Sequence, residues 1–443
     1  MTDAGDSTND APHDNHRSAE GIARDAKRRV WLAFGRLGPG LITGAADDDP
    51  SGIATYSQAG AQFGLNMQWT LVFTYPLMVA VQVISARIGR ATGTGLAANL
   101  RELLPRWVVA ALVLSLFVAN TINIGADISA MGAAAELLAG SGAMVFTIAA
   151  ALVSLLLQIF VPYHLYVRYL KWLTLVLFAY VAVVFAVDID WGDVAESVVR
   201  PDIHFSPQLV TMIVAVFGTT ISPYLFFWQT AEEVEDMEAH EQPDLRHMNP
   251  KAARLQLRRM AADTFTGMAI SNLIAFFIML TTAVTLHQSG VTEIQSSAQA
   301  AGALRPVAGQ FAFLLFSLGI IGTGFLAVPV LAGSAAYAAC ETFGLPKGLE
   351  CKPLEAKAFY AVIAAAMVIA LGALFSSLDP IRMLFWSAVI NGVISVPILG
   401  AMMLVALRHR QMGVFVATLW QRIFGWAATI VMGAAVILMF AVR

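Results

Sequence analysis

Asp47, Asp48 and Asp49, followed at once by Pro50, stand about a dozen residues into an apolar stretch that opens near residue 37. Three adjacent carboxylates in such a setting are costly unless they meet water or a cation. Successive helical residues point about 100° apart, so the three cannot share one face. Proline disfavours helix in the residue before it, which predicts extended backbone at Asp49 and makes it the carboxylate best placed to touch an ion. Asp47 and Asp48 are expected either to face an aqueous vestibule or to cap the broken helix. Two further polar sets recur at helical spacing: Asn120, Asn123 and Asp127, then Ser387, Asn391 and Ser395. Each serves either interhelical hydrogen bonds or a ligand or proton role, and spacing leaves both readings open.

The elements that carry these residues follow from composition. Of 443 residues 58% are hydrophobic and only 13% charged, against roughly 25% charged in soluble domains. The charges bunch between long apolar runs, and the formal net charge is −3. That excludes a soluble enzyme, a disordered chain and a nucleic-acid binder, since no basic face remains. The chain reads as an all-α polytopic membrane protein. Its lipid partner is the bilayer; the sequence does not give an oligomeric state. Residues 1–30 are polar with no apolar core, so the expectation is a disordered cytoplasmic tail and no cleavable signal peptide. Residues 31–443 read as one transmembrane domain. Cys340 and Cys351 are the only cysteines, too few for a disulfide framework or a tetrahedral zinc site.

A spanning helix needs about 20 mostly apolar residues. Eleven stretches qualify, near 37–62, 66–86, 107–138, 143–161, 168–187, 207–230, 262–286, 309–339, 356–376, 382–406 and 423–441. With the N-terminus inside, 23 of the 27 Lys and Arg fall in cytoplasmic segments; only Arg200, Arg305, Arg382 and Arg443 fall outside. The positive-inside bias therefore predicts a plasma (inner) membrane protein with a cytoplasmic N-terminus and an external C-terminus. The stretch from Ala231 to Met260 becomes a long cytoplasmic loop. Glu232 and Glu233 at its start either guide cations leaving the inner vestibule or simply end a helix in solvent.

Two spans do not read as continuous helices. The first contains Gly44 to Gly52 around Asp49-Pro50, and the sixth contains Gly218-Thr219-Thr220-Ile221-Ser222-Pro223-Tyr224. Proline removes a backbone donor, and the glycines and hydroxyl residues beside it let the chain unwind. Pro76, Pro329 and Pro397 lack this context and read as kinks. The two interruptions open the first and second groups of five spans, about 37–187 and 207–406, leaving 423–441 as an extra helix. Interrupted helices at matching places in two halves point to an inverted-repeat transporter working by alternating access, with its site near the midplane. Freed carbonyls and half-helix C-terminal ends there favour a cation.

The first interrupted helix resembles that of the Nramp family of divalent-metal transporters. Gly38-Pro39-Gly40 followed by Asp49-Pro50 matches the family's opening Gly-Pro-Gly and its Asp-Pro-Gly-Asn signature in the same spacing. The resemblance implies a LeuT-like fold of two inverted five-helix repeats plus an eleventh helix. It makes Asp49 a side-chain ligand and places the carbonyls of Ala46 and Thr219 as backbone ligands. It also marks departures. The family's asparagine falls on Gly52, its methionine on Ser222, and its two sixth-helix histidines on Tyr224 and Gln229. Its third-helix aspartate matches Asp127, but a glutamate three residues later is replaced by Ala130.

That pattern is similar to the Nramp-related magnesium transporters, and the ligand chemistry agrees. A thioether favours softer transition metals, whereas carboxylate, hydroxyl and carbonyl oxygens suit Mg²⁺ and Mn²⁺. Mg²⁺ keeps several waters, and Gly52 and Ser222 leave room for them. Loss of the histidines and the glutamate removes readily titrating groups, which argues against obligatory proton coupling. The expected function is uptake of Mg²⁺, and also Mn²⁺, with no resident cofactor. Its rival is a proton-coupled Mn²⁺ or Fe²⁺ transporter. An amine or amino-acid transporter lacks a signature here. A non-transporting sensor is a further class that sequence leaves open. An intramembrane aspartyl protease using Asp49 and Asp127 would carry a Gly-x-Gly-Asp motif, absent from this chain.

Overall fold

The computed structural model describes residues 38–162, 165, 172–349, 351–372 and 379–442. The expected tail, Arg443 and parts of the fifth and ninth spans lie outside the described residues. Those described form helices joined by short connections, with no strand among them. The first span is two helices, α1 (Pro39–Asp47) and α2 (Pro50–Phe63). There follow α3 (Gln68–Thr92), α4 (Leu96–Leu103), α5 (Arg106–Ala139), α6 (Ala143–Phe160), α7 (Phe178–Val184) and α8 (Trp191–Val199). The sixth span is again two helices, α9 (Pro207–Thr220) and α10 (Pro223–Ala239). Last come α11 (Pro250–Thr282), α12 (Ala312–Phe343), α13 (Lys357–Ala370), α14 (Pro380–Ala406) and α15 (Leu419–Ala441). Among the described residues, eight runs are long and apolar enough to cross a membrane, and shorter apolar helices Thr174–Val184 and Lys357–Ala370 lie within the fifth and ninth stretches.

The proline at each break starts a new half-helix and does not merely bend an old one. Pro50 and Pro223 both occupy the first helical turn, where the missing N–H costs nothing. Asp49 and Ser222 precede them in extended conformation (φ/ψ of −73/166° and −75/133°). By contrast Pro76, Pro329 and Pro397 sit inside unbroken α3, α12 and α14. α2 packs against α9 and α10 against α1, so the two broken helices cross at their breaks. α5 and α12, the third helix of each repeat, pack along their length beside them.

Glycines allow the closest crossings. A Cβ on Gly44 would lie 2.4 Å from the Gly267 carbonyl, so α1 rests directly on α11. A Cβ on Gly218 would lie 2.1 Å from the Ala388 carbonyl oxygen and 2.4 Å from the Gly392 nitrogen, which fixes α9 against α14.

One expected loop is mostly helix. α10 runs on to Ala239 and α11 starts at Pro250, so only residues 240–249 connect them. Hydropathy set both boundaries short because the last turns of α10 and the first turns of α11 are polar. Their backbone bonds continue regardless, and Asn249 caps α11 with Pro250 behind it. The acidic stretch 188–205 likewise contains a helix, α8, capped by Asp190.

Candidate ion site at the two helix breaks

Asp49 is the residue that caps α2: its Oδ1 accepts from the Gly52 N–H at 2.6 Å. Capping, one of the two roles expected of Asp47 and Asp48, belongs instead to the carboxylate immediately before the proline, which is the N-cap position itself. The other oxygen, Oδ2, accepts from Asn123 Nδ2 on α5 at 3.0 Å. Asn123 Oδ1 in turn accepts from Ser387 Oγ on α14 at 2.6 Å, and Ser387 lies 3.0 Å from Ser51 Oγ. Three helices thus hold the Asp49 carboxylate, which is 2% exposed.

The sixth-span break faces it across Gly52. A Cβ on Gly52 would lie 3.1 Å from Thr219 Oγ1 and 3.2 Å from Asp49 Oδ1, so any side chain there would fill the space between the breaks. Ser222 Oγ folds back to donate to the carbonyls of Gly218 (2.9 Å) and Thr219 (2.8 Å). Each carbonyl and the hydroxyl retain lone pairs for a cation. Tyr224, in the first turn of α10, donates its hydroxyl to the Ala46 carbonyl at 3.3 Å, tying the end of α1 to α10. Tyr56 and Thr220 make a second tie, at 3.1 Å.

Asp127 is fully buried on α5 with its carboxyl near the Ser51 backbone N–H, and neither oxygen has a partner of good hydrogen-bond geometry among the described residues. Asn391 is 2% exposed, and its Oδ1 also lacks one. Both are side chains that an ion or its waters would satisfy. Asp47 and Asp48 are buried and not in a vestibule (1% and 3% exposed), and both accept from the single hydroxyl of Ser271 on α11, at 2.7 and 3.0 Å.

The remaining candidates lie away from the breaks. Asn120 spans to α12, donating to the Leu331 carbonyl (2.8 Å) and Ser334 (2.9 Å), an interhelical tie. Ser395 bonds Gly392 within its own helix. Gln229 donates to Glu233 at 3.0 Å. Glu233 is 1% exposed and forms an ion pair with Arg90 of α3, which also grips Asp236. Glu233 is thus neither a solvated helix end nor a free carboxylate. Glu232 is half-buried beside it.

Sequence reasoning missed Arg90, Ser51 and Ser271. Ser51 sits inside the broken motif, and that position was its signal; the other two carried none. Among the described residues no three His, Cys, Asp or Glu side chains converge as a metal-holding group. An ion between the breaks would meet one Asp49 carboxylate, amide and hydroxyl oxygens, backbone carbonyls and water. That donor set is hard and oxygen-only.

A model of the protein family described as natural resistance-associated macrophage protein-like, Nramp, matches residues 40–442. The chain is 27% identical over 425 residues to the divalent metal cation transporter MntH of Klebsiella pneumoniae, covering 92% of this chain and 94% of that one. It is 26% identical over 380 residues to the MntH of Pectobacterium carotovorum, covering 82% and 83%. Among solved structures it superposes on the Eremococcus coleocola manganese transporter in complex with an aromatic bis-isothiourea substituted compound. There the TM-score is 0.69 at 17% identity, over 94% of this chain and 87% of that one. It also superposes on Mhp1, a nucleobase-cation-symport-1 family transporter, with a TM-score of 0.55 at 14% identity over 91% and 93%. The fold is the LeuT-like one expected, with its first and sixth helices broken.

Proposed function

Because the chain belongs to the Nramp family, we propose that it carries divalent metal cations across the membrane, Mg²⁺ first and Mn²⁺ second. The named relatives are transporters, not proteases, and two are called divalent metal cation transporters. The observation that carries the choice of ion is the space at Gly52, bounded by Asp49 Oδ1, Thr219 Oγ1 and the Tyr56 ring, at two breaks (44–52 and 218–224) whose sequences hold no Met, Cys or His. A softer ion would gain nothing from such donors, whereas a hard ion that keeps part of its water shell fits them. Asp49 supplies the charge. The hydroxyls of Thr219 and Ser222 and the carbonyls of Ala46 and Thr219 supply neutral oxygens. Tyr224, through its bond to Ala46, sets where α1 ends.

Transport here does not require a proton to move with the metal, and the protein sits in the inner membrane with its N-terminus inside. The test is uptake into proteoliposomes of Mg²⁺ and of Mn²⁺, with and without a pH gradient. Mg²⁺ uptake at equal rates in both conditions is expected. Uptake that needs the gradient, and is seen for Mn²⁺ but not Mg²⁺, would replace this reading with the proton-coupled one.

A further inference from the structure

The N-terminal turns of α11 carry four basic side chains whose charged groups have no partner among the described residues. Lys251, Arg254, Arg258 and Arg259 are all exposed, and none makes a salt bridge among the described residues. Their spacing of three, four and one places them within one arc of the helix, with Leu255 (51% exposed) among them. The acidic groups nearest in sequence on that side are engaged. Asp244 caps and pairs with Arg246 and His247, and Asp263 accepts from the Gly40 N–H at 2.7 Å.

Length then sets the depth of this face. α11 has 33 residues and continues through a wider turn to His287. At about 1.5 Å per residue it is about 50 Å long before that turn, against a hydrocarbon core of about 30 Å. The outward apolar face of α11 runs through Phe265, Ile270 and Leu273, which are 39%, 40% and 51% exposed. Phe265 packs its ring 5.8 Å from Trp420 of α15, an aromatic pair of the kind found at membrane interfaces. From Phe265 to His287 the helix rises about 33 Å, which spans the core. Arg258 and Arg259 then stand about 10 Å beyond Phe265, at the level of lipid phosphates, with Arg254 and Lys251 one and two turns further out.

We propose that this face is a binding site for an anionic phospholipid. The guanidinium groups of Arg258 and Arg259 present planar forks to the phosphodiester oxygens, and Arg254 and Lys251 reach back along the helix to the rest of the headgroup. Phe265 and Trp420 lie on the membrane side of the arginines, where the glycerol and the first acyl carbons would run. Four cations, unpaired among the described residues, beside an anionic leaflet give the charge complementarity that selects phosphatidylglycerol over phosphatidylcholine.

The experiment releases the full-length protein from nanodiscs of equal phosphatidylglycerol and phosphatidylcholine and counts retained lipids by native mass spectrometry. Enrichment of retained phosphatidylglycerol by at least about tenfold is expected. The variant Lys251→Gln/Arg254→Gln/Arg258→Gln/Arg259→Gln should retain both lipids equally. All four positions are exposed and glutamine is a good helix former, so folding should be unaffected. Wild-type protein in 1 M salt gives an independent reading, because screening should remove the enrichment without any substitution. No enrichment in the wild type, or equal enrichment in the variant, overturns the proposal.

Discussion

Gly218→Ala is the sharpest test of the way the fold shapes the site. The added methyl would lie 2.1 Å from the Ala388 carbonyl oxygen, 2.4 Å from the Gly392 nitrogen and 2.7 Å from its Cα. All three are backbone atoms of α14, so no side chain can swing aside. Reaching even the tightest tolerated separation, 3.0 Å, requires a shift of about 0.9 Å between α9 and α14. Overpacking of this kind typically costs about 1–3 kcal/mol. The shift also falls at the break: Thr219 follows Gly218 directly, and Asn391 precedes Gly392. Metal–oxygen distances tolerate only about 0.2 Å, so a displacement several times larger should weaken ion binding at least about tenfold. Calorimetric titration of Mg²⁺ into purified Gly218→Ala reads the affinity, and thermal unfolding in the same detergent reads the stability. Gly400→Ala, on the same α14 but with its nearest neighbour 3.9 Å away, is the control and should leave both unchanged. Wild-type affinity in Gly218→Ala would refute the claim that this crossing positions the ligands.

Ser222→Met should lower Mg²⁺ uptake relative to Cd²⁺ in competitive proteoliposome assays, since a thioether displaces water and adds a soft donor. An unchanged preference would mean that Ser222 does not face the ion. Arg90→Met leaves Glu233 buried and unpaired, and breaking such a pair costs about 3–5 kcal/mol. Thermal unfolding should show that loss, and adding Glu233→Gln should recover much of it; equal loss in the single and double variants would mean the ion pair is not the cause.

The breaks were legible because proline acts through its own ring and its immediate neighbour, whatever the tertiary context. Asp49-Pro50 and Ser222-Pro223 therefore announced two half-helices, and their five-span separation announced the repeat. The position of Asp49 was legible for the same reason, although capping was considered only for its neighbours, as an alternative to facing the vestibule. What depends on packing was not. Asn120 and Asn123 are three residues apart and read alike, yet one bonds α12 while the other holds Asp49. The difference lies in which helix each meets. Glu233 read as either an exit carboxylate or a solvated helix end because its partner, Arg90, is 143 positions away in sequence. Ser271 shares its hydroxyl between Asp47 and Asp48 from a helix whose sequence gave no sign of it. Helix ends suffered most: α10 and α11 continue through charged turns that hydropathy treats as loop.

Asp49→Ala tests most directly whether an ion is bound between the two breaks through Asp49. The substitution removes the charge and leaves neutral oxygens, which cannot offset dehydration of a divalent cation. Mg²⁺ uptake should be measured in proteoliposomes at fixed membrane potential, with insertion and monodispersity matched to wild type. Uptake at the level of empty vesicles is expected. Wild-type uptake by a well-folded Asp49→Ala protein would contradict it.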